Sequence, residues 1–329
     1  MVPVTIALSL IFIFALSSVA YVYQYRGKAR YASLGEYWRK GWPIFSPFNC
    51  LLYMFTRSRA RHPIINLNQF HELDAIQQNW KTIREEVLGL HRNGSFEQTK
   101  SPGSQASYDI GFRTFFKYGW SKFYLNWYGY THDSAKKLCP NTVRILEQIP
   151  SVNGAMFAVL PPSGQLTRHL DPVACSLRYH LGLDTPNLDK CFINIDDVPY
   201  SWRDGEALLF DETYPHFARN DSDQTRLILM CDVERPMNFP GRCINRIFKI
   251  LMRMTVVPNI EGDKRGFANK LFSGLAPINQ KMKALKLTHN KLYRLIKYSI
   301  NLSLIALGFV LIGGILQLLY TLTLGIIGD

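Results

Sequence analysis

The run from Val2 to Tyr25 carries no charge, and it constrains this chain more than any other stretch. A helix crosses the hydrocarbon core of a bilayer with about 20 consecutive apolar residues, so the run is long enough to span. Ser18-Val19-Ala20 would pass as a signal-peptide cleavage site, but no positive segment precedes the run, and Arg26, Lys28 and Arg30 follow it. It therefore reads as an uncleaved anchor. A second uncharged run separates Lys297 from Asp329; from Leu302 to Ile327 it is mostly Leu, Ile, Gly and Thr, and it reads as a second span. Both spans carry basic flanks on the side facing the middle of the chain. The positive-inside rule then predicts residues 26–298 in the cytoplasm and both termini outside.

The formal charge of +13 over 329 residues calls for an anionic partner, and its distribution says which. Residues 242–297 hold thirteen Lys and Arg against only Glu261 and Asp263, so eleven of the thirteen net positive charges sit there. No finger, helix-turn-helix or aromatic-sheet motif accompanies them, which disfavours nucleic acid. Ile244, Ile247, Phe248 and Leu251 fall at helical spacing beside Arg242, Arg246, Lys249 and Arg253, and Met282, Leu285, Leu292 and Ile296 repeat the pattern. Such helices suit a lipid headgroup layer, with packing on the core as the plainer alternative. The six cysteines show neither CxxC pairs nor a dense disulfide framework, as expected of thiols in a reducing compartment.

Between the ends, the sequence predicts a helix within residues 66–90, from Leu73, Ile76, Trp80, Ile83 and Val87. A polar loop or lid is expected from His91 to Ser107, followed by an aromatic-rich stretch from Phe112 to Tyr130 that suits a core. From Gly154 to Pro236 the texture changes to short strands between turns, at 155–160, 176–183, 191–195, 207–210 and 226–232. The fold class expected is a mainly β catalytic domain of jelly-roll or double-stranded β-helix type, with flanking helices and one transmembrane helix at each end. The corresponding divisions are an anchor at 1–25, a juxtamembrane segment at 26–65, the catalytic domain at 66–240, basic membrane-surface helices at 241–298 and a second span at 299–329.

His169-Leu170-Asp171 sets two ligand-capable side chains on one side of an extended segment, and His216 follows a short turn after a candidate strand. Two imidazoles and a carboxylate can cap one face of an octahedral ion and leave three positions for a bidentate cosubstrate and dioxygen, which suits non-haem Fe(II). Zinc is the chemical alternative, but it does not call for the further cation at Arg226, whose planar fork can hold a carboxylate. Arg178 and His180 alternate with Leu177, Tyr179 and Leu181, so in a strand both polar groups face one side.

Three segments carry a likeness: His169 to Leu183, Trp202 to His216, and Thr225 to Pro236. Together they resemble the aspartyl/asparaginyl β-hydroxylase family, and more closely its bacterial lipid A acyl-chain 2-hydroxylases, which similarly carry an N-terminal span, an Arg-Gly-Lys after it (Arg26-Gly27-Lys28 here) and a basic C-terminal region. The resemblance implies Fe(II) on His169, Asp171 and His216, with 2-oxoglutarate and dioxygen as cosubstrates. It also implies 2-oxoglutarate anchored by Arg226, with Arg178 and His180 near its other end. Animal members lack the carboxylate ligand that Asp171 supplies here, and where they present a serine this chain has Ala158. The implied reaction is hydroxylation at C2 of a lipid A acyl chain on the cytoplasmic face of a bacterial inner membrane, with the termini periplasmic. Lipid A or a related anionic lipid is the expected partner, with no nucleic acid and no obligate protein partner. Another lipid, such as an ornithine lipid, or Asp/Asn in a protein are alternative substrates. A jelly-roll protein that binds lipid or metal without catalysis is the alternative of another class.

Overall fold

The computed structural model describes residues 2–100, 104, 106, 109, 111–112 and 119–328. They form two compact units, Val19–Phe272 and the pairing of Met1–Ser18 with Ser273–Asp329. The second unit contains most of helix α1 (Val2–Gln24) and all of the long C-terminal helix described below. Among the described residues one helix, Thr5–Gln24, is long and apolar enough to cross a membrane.

Two antiparallel sheets make up the centre of the larger unit. Its strands are β1 (Ile64–Ile65), β2 (Ser121–Trp127), β3 (Tyr130–Thr131), β4 (Val152–Leu160), β5 (Gln165–His169), β6 (Ser176–Asp184), β7 (Cys191–Ile195), β8 (Val198–Ser201), β9 (Ala207–Phe210), β10 (His216–Asn220) and β11 (Arg226–Glu234). The larger sheet runs β1-β9-β6-β11-β4-β2-β3 and the smaller β5-β10-β7-β8. The five strands expected from turns and apolar runs all form. β5 and β10 do not announce themselves in the same way, because in Gln-Leu-Thr-Arg-His the residues are exposed or half-buried and carry no apolar alternation.

Alternation along the large sheet separates two chemistries. Leu177, Tyr179 and Leu181 of β6, with Leu227, Leu229 and Cys231 of β11, face an apolar layer completed by Ile76, Ile83, Val87 and Leu146. Those last residues come from helices α4 (Asp74–Gln78), α5 (Trp80–Arg92) and α8 (Pro140–Glu147). The single helix expected within 66–90 is thus broken at Asn79. Met156, Ala158, Ile228, Met230, Leu208 and Phe210 face the other way and meet Ile193, Ile195 and Ala218 of the small sheet. Arg178, His180 and Arg226 lie on this inner side by the same two-residue period.

The remaining helices are α2 (Leu34–Lys40), α3 (Ser46–Phe55), α6 (Ser95–Lys100), α7 (Asp133–Leu138), α9 (Phe239–Arg253), α10 (Phe267–Gly274), α11 (Ala276–Thr288) and α12 (Asn290–Gly328). The end of α5 and α6 occupy part of the loop expected at 91–107; residues 101–103, 105 and 107 of it fall outside the described residues, as do Phe115, Phe116 and Tyr118. α9 buries Gly241 and Asn245 and turns Ile247, Ile250 and Leu251 outward at more than half exposure, so its expected apolar stripe divides between core and surface. The second uncharged run is helical, inside the 39 residues of α12.

Gly182 sits where β6 passes the turn before β9, and a Cβ there would lie 1.9 Å from the carbonyl oxygen of Arg203. That contact is with backbone and has nowhere to yield. Gly182→Ala is expected to cost about 1–3 kcal/mol, in the range of overpacking, read as a fall in the midpoint of thermal unfolding; an unchanged midpoint would show that the turn can shift at no cost.

Candidate metal centre

The pairing of β10 with β5 sets His216 directly opposite His169, with ring centroids 4.3 Å apart. Asp171 lies just past the end of β5, held by its own N–H donating to the carbonyl of Glu212 at 2.8 Å. The ligand-capable atoms of His169, Asp171 and His216 all lie within 4.8 Å of one another. Each imidazole sits 2.9 Å, through Nδ1, from a carbonyl two residues earlier, Thr167 for His169 and Tyr214 for His216. Donation through Nδ1 leaves the Nε2 lone pair of each ring for an electrophile.

Electrostatics keep His216 and Asp171 in their metal-binding states. Burial, then the neighbouring His169, pushes the His216 imidazole down to about 3, against the pull of Asp171. For Asp171 burial works upward, but the neighbouring His169 and the Arg178 charge prevail and hold the carboxyl well below its usual range. A neutral imidazole and an ionised carboxylate are what a divalent cation requires.

Arg178 was expected beside a cosubstrate; its fork lies on carboxylates of the chain itself. Nη2 is 3.1 Å from Asp171 Oδ2 and also pairs closely with Glu212, while Nε is 3.2 Å from Asp232. Burial, with the Asp171 and Asp232 charges, outweighs Arg178 and pushes the Glu212 carboxyl up. The arginine thereby orients the second oxygen of Asp171.

Arg226 is different. It is fully buried, its guanidinium carbon is 4.7 Å from the Trp120 ring centre and 4.3 Å from that of Trp202, and none of its three side-chain nitrogens has a hydrogen-bond partner among the described residues. Burial alone lowers its pKa, to about 10. Next to it, the Trp202 indole donates to His180 Nδ1 at 3.3 Å, so the proton of a neutral His180 ring sits on Nε2, which is also buried and partnerless. Burial, followed by the Arg226 and Arg178 charges, pushes His180 down and keeps it neutral. The His180 ring packs 5.1 Å from Phe210, which packs 5.7 Å from His216, so these buried donors and the candidate ligands line one interior. A buried cation without a counter-ion costs several kcal/mol, and a carboxylate brought by a small molecule would supply what it lacks.

Sequence reasoning named the three candidate ligands, Arg226, Arg178 and His180, and the fold brings all six onto one interior. It did not find Trp120, Trp202, Glu212 or Asp232. Asp232 had a signal: it lies six residues after Arg226 in a continuous strand, hence on the same face.

Residues 77–236 match the family described as aspartyl/asparaginyl beta-hydroxylase. The chain is 38% identical over 188 residues to an ornithine lipid ester-linked acyl 2-hydroxylase of Rhizobium tropici, covering 56% of this chain and 64% of that protein. It is 30% identical over 167 residues to the aspartyl/asparaginyl beta-hydroxylase of Homo sapiens, covering 49% of this chain and 21% of that protein. The chain thus spans less than two thirds of the length of either relative. A solved prolyl-4-hydroxylase of Pseudomonas putida overlaps 47% of this chain and 87% of its own at 15% identity, with a TM-score of 0.31.

Proposed function

With the likeness to the aspartyl/asparaginyl β-hydroxylase family holding over residues 77–236, we propose that this chain is a membrane-bound iron(II)- and 2-oxoglutarate-dependent hydroxylase acting on an acyl chain of a membrane lipid. His169, Asp171 and His216 hold the iron, and Arg226 with His180 Nε2 receives one carboxylate of 2-oxoglutarate. The observation that carries this reading is the partnerless buried guanidinium of Arg226, three nitrogens facing an interior that also holds the ligand triad. The two antiparallel sheets with the site between them fit a jelly-roll description.

Iron with 2-oxoglutarate and dioxygen supplies an oxidant able to place a hydroxyl on an unactivated C–H bond, leaving succinate and carbon dioxide; no acid or base side chain does this by proton transfer. The part of the protein is placement. His169 and His216 present Nε2 because Nδ1 is held by backbone, Arg178 turns Asp171, and the indoles of Trp120 and Trp202 keep water from Arg226.

A lipid substrate is favoured by what surrounds the triad. Leu170, between two candidate ligands, packs against Tyr31 and Tyr37, and with them against Val19, Val22 and Tyr23 at the end of the apolar helix α1. An acyl chain need not leave the hydrophobic phase far behind to reach such a site. The basic block at 242–297 would draw anionic headgroups. The finer reading is C2 of an acyl chain of lipid A, at the cytoplasmic face of a bacterial inner membrane, with α12 crossing as a second span and both termini periplasmic. The substrate printed for the Rhizobium relative makes an ornithine lipid the direct competitor.

The test is succinate release by the purified full chain in nanodiscs, offered lipid A, an ornithine lipid, or Asp- and Asn-containing peptides, with mass spectrometry locating the added oxygen. Oxygen at C2 of an acyl chain is the expected result, and the lipid that supports it identifies the headgroup. Turnover with peptides alone would sink the lipid reading.

A further inference from the structure

The Arg26-Gly27-Lys28 triplet lies two residues beyond the apolar helix and outside the match at 77–236. It is nonetheless built into the larger unit. The Arg26 guanidinium is buried; Nη2 donates to Asp211 Oδ2 at 2.8 Å and to Thr213 Oγ1 at 2.9 Å. Its central carbon lies 3.5 Å from the ring centre of Tyr53 and 4.0 Å from that of Tyr214. Gly27 adopts a φ of +72°, and a Cβ there would lie 2.4 Å from Asp196 Oδ1 and 2.8 Å from the Tyr214 ring, so only glycine lets the chain pass. Past it, the N–H groups of Lys28 and Ala29 both donate to Asp196 Oδ1, at 2.7 and 2.8 Å.

Apart from Tyr53, the groups this strap meets lie in, or are bonded to, the chain on either side of the candidate ligands. Thr213 and Tyr214 precede His216, and Asp196 donates its own N–H to the carbonyl of Pro215 at 2.9 Å. Arg168, just before His169, donates to the carbonyl of Arg30 at 3.1 Å. Leu170, between His169 and Asp171, packs on Tyr31 and Tyr37. A spacer between an anchor and a domain needs no buried charge, and taking a guanidinium and a carboxylate out of water is costly unless their geometry is fixed.

We infer that Arg26 is a positioning residue for the candidate metal centre: the strap 26–30 holds the turn 211–216 and the end of β5 so that His169, Asp171 and His216 converge. This rests on the metal-centre reading above. The site is then complete only with the segment that follows the apolar helix in place. Arg26 acts through Asp211 and Thr213 and touches no ligand atom itself.

Anaerobic titration of the full chain in nanodiscs with Co(II), followed by its visible absorption, tests this without turnover. The natural chain should take up Co(II) at a site lost in His169→Ala. Arg26→Gln should weaken Co(II) binding by about tenfold or more, as loss of an outer partner of a metal site does, and Arg26→Lys should recover part of it. Arg84→Gln, which removes a half-exposed pair with Asp184 far along the chain, should leave affinity unchanged. Should Arg26→Gln not fold, Thr213→Val keeps the shape, removes the hydroxyl that accepts from Arg26 and Tyr53 and donates to Asp211, and should weaken binding severalfold. Natural affinity and an unaltered spectrum in Arg26→Gln, or in Thr213→Val if it is the variant that folds, overturn the inference, whatever happens to thermal stability. If the natural chain binds no Co(II), or binds it equally after His169→Ala, the metal-centre reading itself fails and this inference falls with it.

Discussion

Replacing Arg226 with methionine is expected to stabilise the chain in the absence of cosubstrate and to abolish succinate production. The side chain is fully buried between Trp120 and Trp202, with no hydrogen bond from any guanidinium nitrogen to a described residue. An ion in that position has lost its water and gained only the faces of two indoles. Those contacts are worth roughly 2 kcal/mol each when desolvated, less than the several kcal/mol that removing the ion from water costs. Methionine fills a similar length with a flexible, apolar chain. Exchanging buried charge for well-packed apolar atoms stabilises by about 1–4 kcal/mol in favourable cases, which in a unit of this size raises the unfolding midpoint by several degrees.

The same exchange removes the proposed partner of a 2-oxoglutarate carboxylate. Truncating one side of a buried charge pair costs about 2–5 kcal/mol, so 2-oxoglutarate should bind some thirtyfold to several thousandfold more weakly and no longer shift the unfolding midpoint. Calorimetric binding and thermal shift with and without 2-oxoglutarate check both halves. A methionine variant that is less stable, yet keeps its affinity for the cosubstrate, would make Arg226 a structural cation and remove the main support for the function proposed.

The second large effect is at the triad. His169→Ala, Asp171→Ala and His216→Ala should each reduce oxygen insertion by roughly a thousandfold or more, since a metal centre contributes several kcal/mol to lowering the barrier. The three variants should differ in stability. Asp171 also accepts from Arg178, and removing its carboxylate leaves that buried arginine to Glu212 and Asp232 alone, whereas His169 touches no buried cation. Asp171→Ala is therefore expected to unfold at a lower temperature than His169→Ala while being equally inactive. Lipid modification at the natural rate in any of the three would turn the chain into a binding protein and end the enzymatic reading.

The sequence carries the chemistry of the site but not the arrangement that makes it work. Alternation in Leu177 to Leu181 already separates Arg178 and His180 from the apolar face, because a strand repeats every two residues whatever it pairs with. His169, Asp171, His216 and Arg226 are recognisable as a set by type and order, and the uncharged run before Tyr25 is visible from composition alone. Other features depend on partners far apart in the chain. Asp211 meets Arg26 across 185 residues and Arg235 across 24; neither pairing follows from a local period, because burial by the rest of the fold is what forces those charges together. Likewise, the two indoles around Arg226 come from separate parts of the chain, one just before β2 and the other between β8 and β9, and only the stacking of the sheets makes them a pair. Periodicity decides which side of an element a residue faces. Which residues meet across the interior, and which cation is left without an anion, is decided by packing.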